Sequence, residues 1–132
     1  MNYEQLVLEI FDDYDKKHRA ILGDVLATSE MHADRILAKY NTKKLSAEQV
    51  ENLKKLIVQK EVDEFMLFVE QHKDVLDSTL SDQQKFAQIF ARMDSPELSQ
   101  DDREYLKKRI RRNIYDNEVS KILLDLAKKL KL

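Results

Sequence analysis

The sequence predicts an all-α protein, and three observations support that fold class. The chain has one glycine and one proline among 132 residues, so it can supply few of the turns that β-hairpins need. Leu, Lys, Glu and Ala are among its commonest residues, and all four favour helices. Apolar residues recur at spacings of three and four, the period of an amphipathic helix. We expect a compact bundle of about five helices, in the order long, short, long, short, long, within a single domain spanning residues 1–132.

The first long helix is expected to begin near Asn2 and to end at Gly23. Gly23 is the only residue in the chain that adopts a left-handed C-cap at low cost. A single helix over residues 2–40 would tolerate this glycine at a cost of about 1 kcal/mol. We favour a break there, with Thr28 or Ser29 as the N-cap of a short second helix.

Three serines mark the expected starts of the remaining helices. Ser46 and Ser81 each stand three residues before a glutamine, which is the pattern of a capping box. Ser99 is expected to be the N-cap of the last helix, which should run nearly to the C-terminus. The third helix meets no glycine or proline before Asp77, so it could span about 30 residues. Pro96 should end the fourth helix, because proline disfavours helical geometry in the residue before it.

One stretch of sequence occurs twice. LSAEQVENLKKLI at residues 45–57 returns as LSQDDREYLKKRI at residues 98–110, a displacement of 53 positions (45 to 98). Seven residues are identical in register. Two amphipathic helices with serine caps and lysine-rich outer faces also resemble each other by chance. A chance resemblance without any duplication therefore stays open as the alternative.

The match extends upstream of these two copies, where the offset becomes 54. There His18 matches His72, and Leu22 matches Leu76. Helical repeats bury their apolar faces against neighbouring units. We predict an internal helical pseudo-repeat with three parts: units at about residues 9–62 and 63–115, and residues 116–132 as the beginning of a third.

The run Phe65–Val69 is apolar around the full circumference of a helix, so it must be surrounded by other residues. The simplest interpretation is that the third helix is central and that these residues form the core. The alternative is that one side, with Met66 or Leu67, emerges as a surface for a partner or a second copy. On that interpretation the candidate partner-binding residues are Phe65, Met66, Leu67 and Phe68.

The last helix carries the densest cluster of positive charge. Residues 99–132 hold 10 basic and 6 acidic side chains, whereas residues 46–98 hold 6 and 11. A basic helix face with an aromatic residue is typical of phosphate or nucleic-acid binding. The candidate anion-binding or nucleic-acid-binding residues, expected on one broad outer face, are Lys107, Lys108, Arg111, Arg112 and Tyr115.

Two observations favour a solvated helix face over a nucleic-acid site at this cluster. Glu104 and Asp116 stand four residues from Lys108 and Arg112 respectively, so both basic residues have a local partner for an ion pair. The overall pI of about 5.9 is also low for a dedicated nucleic-acid-binding protein.

Metal and catalytic chemistry have little support. Asp15 and His18 resemble half of a carboxylate–histidine metal motif, but His72, the counterpart of His18, has Val69 three residues before it. The chain has no cysteine, and its three histidines have no evident serine or aspartate partner. We therefore expect no metal site, no cofactor, no small-molecule ligand and no enzymatic activity.

The expected function is a non-catalytic protein–protein interaction module, such as an adaptor, regulator, inhibitor or assembly subunit. Its partner would be another protein or a second copy of the chain, and nucleic-acid binding through the basic face is the alternative. The N-terminus lacks the pattern of a secretory signal, and the longest apolar run has five residues, too few to span a bilayer. We expect a cytoplasmic protein without a membrane partner.

Overall fold

The computed structural model describes residues 2–131. Every regular element within that range is an α-helix, which confirms the predicted all-α class. Five of the helices have nine residues or more, as the prediction of about five helices requires. The helices are α1 Tyr3–Phe11, α2 Tyr14–Lys17, α3 Arg19–Leu22, α4 Ser29–Leu37, α5 Ala47–Gln71, α6 Lys73–Leu76, α7 Asp82–Met93 and α8 Gln100–Lys129.

The first helix is broken more often than the sequence predicts. Asp13, with a left-handed φ of 51°, separates α1 from α2, and His18 separates α2 from α3. α3 then ends at Gly23, as predicted, but Gly23 has a right-handed φ of −77°. The predicted left-handed cap at Gly23 is therefore wrong. An aspartate takes the left-handed conformation instead, because its short polar side chain tolerates that region better than most residues do.

The predicted helix starts are confirmed by hydrogen bonds at their N-caps. Thr28 caps α4, since its hydroxyl accepts the amide N–H of Met31. At the N-caps of α1, α5, α7 and α8 a side chain accepts an N–H from the third residue of the helix, whose own side chain accepts the N–H of the cap. These reciprocal pairs are Asn2 with Gln5, Ser46 with Gln49, Ser81 with Gln84, and Ser99 with Asp102.

The chain groups into two compact units: unit 1, Met1–Glu64, and unit 2, Phe65–Leu132. The boundary falls inside α5, so the first part of this helix belongs to unit 1 and its last part to unit 2. In unit 1 the largest fully buried apolar side chains are Leu6, Ile10, Leu22, Ile36, Leu53 and Ile57. In unit 2 the core consists of Phe68, Val75, Leu76, Ile89, Ile110 and Ile114.

The two units share features at the positions that the sequence repeat relates. His18 and His72 both interrupt a helix, with φ and ψ of −120° and 23° in one and −119° and 22° in the other. Both side chains are buried. The matched positions that are buried in both units include Tyr14 and Phe68, Leu22 and Leu76, Ile36 and Ile89, and Ile57 and Ile110. These correspondences support a duplicated unit, while the division of the chain into domains stays a prediction.

The two longest helices, α5 and α8, have 25 and 30 residues. Charged side chains occur along the whole length of each. No helix within residues 2–131 combines the length and the apolar character needed to cross a membrane. The predicted extension of the last helix ends on residue 132, which lies outside the described residues, and α8 itself ends at Lys129.

Candidate interaction surface

The apolar run on α5 is divided between the core and the surface. Phe68 is buried in the core of unit 2, whereas Met66 and Leu67 are 61% and 53% exposed. Phe65 and Val69 are half-buried. The sequence indicated Met66 or Leu67 as the side that reaches the surface, and both do. Their role in binding a partner stays a prediction.

Two residues of the basic cluster on α8 lie over aromatic rings of α7. The Nζ atom of Lys107 is 5.4 Å from the centre of the Phe90 ring, and the Cζ atom of Arg111 is 4.5 Å from the centre of the Phe86 ring. At these distances the cations are attracted by the electron-rich ring faces. Their aliphatic stems also cover apolar surface of unit 2. Part of the basic cluster therefore packs against its own unit.

Arg112 does not lie on the exposed face with the other basic residues. It is buried, and its Nε atom is 3.4 Å from the Asp116 carboxylate. The predicted pair is confirmed, but the predicted outward position is wrong. At 100° per residue Arg112 lies about 140° around the helix from Lys107, so a single exposed face does not hold both. Lys108, Arg111 and Tyr115 are the members of the cluster that are exposed.

An open groove of about 500 Å³ lies beside this cluster, between α7 and α8 of unit 2. Phe86, Ile114 and Tyr115 form its apolar lining. Arg111 and Gln83 add polar groups, and carboxylates come from Asp82 and Glu118. Because charges of both signs line the groove, it does not favour a ligand of one charge.

The second half of α8, predicted as the beginning of a third repeat unit, has an exposed apolar side. Ile122, Leu123, Leu126 and Leu130 are between 49% and 64% exposed. Together with Val119 they fall within about 100° of the helix circumference. We call these five residues the tail face. Leu124 is 62% exposed but lies about 160° around the helix from Leu126, so it is not part of the tail face.

The tail face continues the repeat with positions that are buried elsewhere in the chain. With the same offset of 54, Ile122, Leu126 and Leu130 correspond to Phe68, His72 and Leu76, and these correspond in turn to Tyr14, His18 and Leu22. All six counterparts are 6% exposed or less. The sequence did contain the signal, since residues 116–132 match the beginning of a third unit. Residue spacing does not reveal whether anything covers such a face.

A second feature that sequence reasoning missed is a buried polar cluster in unit 1. The Nδ1 atom of His32 is 2.8 Å from the Glu61 carboxylate, and its Nε2 atom donates a hydrogen bond to the Asp24 carbonyl at 2.8 Å. The Ser29 hydroxyl donates to the same carboxylate at 2.9 Å. His32 and Glu61 are both buried. The sequence showed no evident serine or aspartate partner for the histidines, and the carboxylate partner of His32 is a glutamate, Glu61.

This cluster contains a serine, a histidine and a glutamate, but its geometry differs from that of a catalytic triad. In a triad the histidine accepts a proton from the serine hydroxyl, whereas here Ser29 bonds to Glu61. Both ring nitrogens of His32 are already engaged, and its side chain has no exposed surface. The arrangement satisfies buried polar groups within unit 1 and leaves no nucleophile activated.

Comparison of the chain with protein-family models, with curated proteins and with solved structures found no match. Its function has to be inferred from its own residues. Of the predicted site residues, Lys108, Arg111 and Tyr115 share an exposed side of α8, and Met66 and Leu67 are exposed on α5. Within residues 2–131, the largest group of exposed apolar side chains on one side of a helix consists of Ile122, Leu123, Leu126 and Leu130 of the tail face.

The two histidines at the helix breaks make folding stability depend on pH. Burial is the main cause that lowers their pKa, helped by Lys39 beside His18 and by Arg92 beside His72. In the unfolded chain both side chains return to the ordinary pKa of 6.5 and take up protons as the pH falls below it. The folded state takes up fewer protons, so stability is full above that pH and decreases below it. We expect the urea midpoint to fall between about pH 7 and about pH 5.

A single substitution provides the control for this pH dependence. His72→Leu removes one titrating group, so the difference between the two urea midpoints should become smaller. The Asp74 carboxylate stays ionised in the folded chain between pH 7 and pH 5, so it does not add to the pH dependence there. Its hydrogen bond with Arg92 is the main cause that lowers its pKa to about 2. If the urea midpoint changed equally between pH 7 and pH 5 in His72→Leu and in the natural chain, His72 would not contribute to the pH dependence of stability.

Proposed function

We propose that this chain is a non-catalytic interaction module that binds another polypeptide through the tail face of α8. One observation carries the proposal. Ile122, Leu126 and Leu130 are exposed, although the equivalent residues are buried in both units. A contiguous apolar patch on a protein surface is typical of an interaction site. Covering these side chains would remove apolar area from water, which is the main favourable term in association.

The spacing of the tail face indicates what kind of partner it fits. Val119, Leu123, Leu126 and Leu130 follow one another at intervals of four, three and four residues. Alternation of three and four places a continuous apolar seam along one side of a helix, as in a coiled coil. The matching partner is therefore an amphipathic helix rather than a flat surface or an extended peptide.

The contacts of the basic cluster favour this function over nucleic-acid binding. Arg112 is buried beside Asp116, and Lys107 and Arg111 pack over rings of α7. Fewer free cations neutralise fewer phosphates, which reduces the electrostatic part of nucleic-acid affinity. Lys108, Arg111 and Tyr115 keep the alternative as a second candidate, because an exposed aromatic residue between cations can stack on a base.

Photo-crosslinking in the cells of the host tests the proposal. A photo-reactive benzoylphenylalanine placed at Leu126 should form covalent adducts with a protein, whereas the same group placed at Leu124 should form few. Both positions are exposed leucines on the same helix, and the control position is the more exposed of the two. We expect many more protein adducts at Leu126 than at Leu124, because only Leu126 lies on the face that the partner would cover.

Two results would count against the proposed function. The same low yield of adducts at both positions would mean that the tail face stays uncovered in the cell. Adducts with nucleic acid from a probe at Lys108, without protein adducts at Leu126, would favour the second candidate instead.

A further inference from the structure

We infer that the partner of the tail face is the tail face of a second copy, packed antiparallel across a two-fold axis. The inference rests on the proposed function, since it assumes that this surface is covered by a helix. It goes further by naming that helix and its direction.

The first reason is the symmetry of the apolar residues along the tail. Apart from Leu124, which corresponds to Asp125, their pattern reads the same in both directions from the point between residues 124 and 125. Three pairs lie at equal distances on either side of this point: Val119 and Leu130, Ile122 and Ala127, and Leu123 and Leu126. Two copies related by a two-fold axis through this point therefore match Val119 with Leu130 and Leu123 with Leu126, all of which belong to the tail face, whereas Ala127 lies outside that face. A C2 interface requires this kind of self-complementarity.

The second reason is the distribution of charge along the tail. Lys128, Lys129 and Lys131 lie at its C-terminal end, and Glu118 lies at its N-terminal end. With Lys121 and Asp125 counted as well, residues 118–124 have no net charge and residues 125–131 have a net charge of +2, so an antiparallel pair places the positive half of each tail beside the neutral half of the other. A parallel pair would bring both groups of lysines together. Electrostatic repulsion therefore disfavours the parallel pair.

The length of the paired segment sets the strength of the association. Residues 119–130 form a helix of about 18 Å at 1.5 Å per residue. Such a short helix pair buries less than the roughly 1,200 Å² of a standard stable interface. We therefore expect a reversible monomer–dimer equilibrium rather than a permanent dimer. The dimer fraction should rise as the protein concentration rises.

Sedimentation velocity of the full chain over a dilution series measures this equilibrium. Leu126→Asp places a charge in the pair and should raise the dissociation constant of the dimer at least about tenfold, since a buried unpaired charge is costly. The matched control is Leu124→Asp, which adds the same charge to the other side of the helix and should change the constant less than about twofold. Circular dichroism of both variants verifies that they fold.

Single cysteines test the direction of the pair, and the chain offers a clean background because it has no cysteine. In the antiparallel pair, the thiol of the Val119→Cys variant lies opposite the thiol of the Leu130→Cys variant in the other copy. Two copies of the same variant hold their thiols about 16 Å apart along the helix, beyond the roughly 7 Å that a disulfide spans between Cα atoms. We expect mild oxidation to crosslink a mixture of the two variants but neither variant alone.

The outcomes separate this inference from the proposed function. Efficient crosslinking of either variant with itself would indicate a parallel pair and overturn the inference. A chain that stays monomeric at every concentration, with photo-adducts at Leu126 to a different protein, would overturn the inference and leave the proposed function standing. A monomer without protein adducts at Leu126 would overturn both.

Discussion

Replacing Glu61 with leucine should lower the free energy of unfolding of unit 1 by about 3–5 kcal/mol. The His32 ring is fully buried, and its Nε2 atom already donates to the Asp24 carbonyl. Its Nδ1 atom therefore either donates to an ionised Glu61 or accepts from a protonated one, and in both cases the pair is neutral overall. Without the carboxylate, His32 keeps a buried charge without a counter-ion or a buried nitrogen without a partner. Urea unfolding followed by circular dichroism measures the loss.

Glu51→Leu is the matched control for this substitution. Glu51 lies on the same helix as Glu61 but is exposed, so we expect its replacement to change the free energy of unfolding by less than about 0.5 kcal/mol. The double variant with His32→Leu and Glu61→Leu should lose less free energy of unfolding than the sum of the losses in the two single variants, because neither member of the buried pair is left without the other. A loss in Glu61→Leu no larger than that in Glu51→Leu would contradict this account.

Unit 2 has a different buried polar residue at the position equivalent to His32. Residue 85, which is 53 positions later, is a buried lysine. Its Nζ atom donates to the Leu76 carbonyl at 2.9 Å and lies 3.4 Å from the Glu118 carboxylate. Both units therefore bury a nitrogen-bearing side chain against a backbone carbonyl and a carboxylate. The partner carboxylates come from different positions of the repeat.

The helix starts were predictable from the sequence because capping is local chemistry. The residues that form a capping box are three positions apart, so a pair such as Ser81 and Gln84 carries most of the signal. The break at His18 was not predictable in the same way. Histidine has no strong preference for ending a helix, and only the backbone conformations show that His18 and His72 each interrupt one.

The polar cluster and the tail face depend on contacts between distant residues. His32 and Glu61 are 29 positions apart, and neither has a neighbour in the sequence that marks it as buried. The exposure of Ile122 and Leu126 was not predictable for a different reason. Their apolar pattern is the same as that of buried helices, so periodicity alone does not distinguish an exposed apolar face from a buried one. Arg112 was predicted on the outer face because the whole basic run was assigned to one side of α8. The run also reaches the buried side of this helix, and Arg112 lies there.

Ile36→Ala and Ile89→Ala should each lower the free energy of unfolding of their own unit by about 2–5 kcal/mol. The two isoleucines occupy equivalent positions on α4 and α7, and neither has any exposed surface. Removal of buried methyl groups loses transfer free energy and leaves a cavity. Native-state hydrogen exchange measures the effect residue by residue. We expect Ile36→Ala to raise exchange mainly in α1–α4 and Ile89→Ala mainly in α7 and α8.

The controls for this pair are exposed methionines on the same two helices. Met31→Ala on α4 and Met93→Ala on α7 remove side chains that are 44% and 38% exposed, so each should cost less than about 1 kcal/mol. If one isoleucine variant raised exchange equally in all helices, the chain would unfold as the single domain that its sequence predicts. Separate effects would mean that each copy of the repeat has its own stability, with α5 contributing to both.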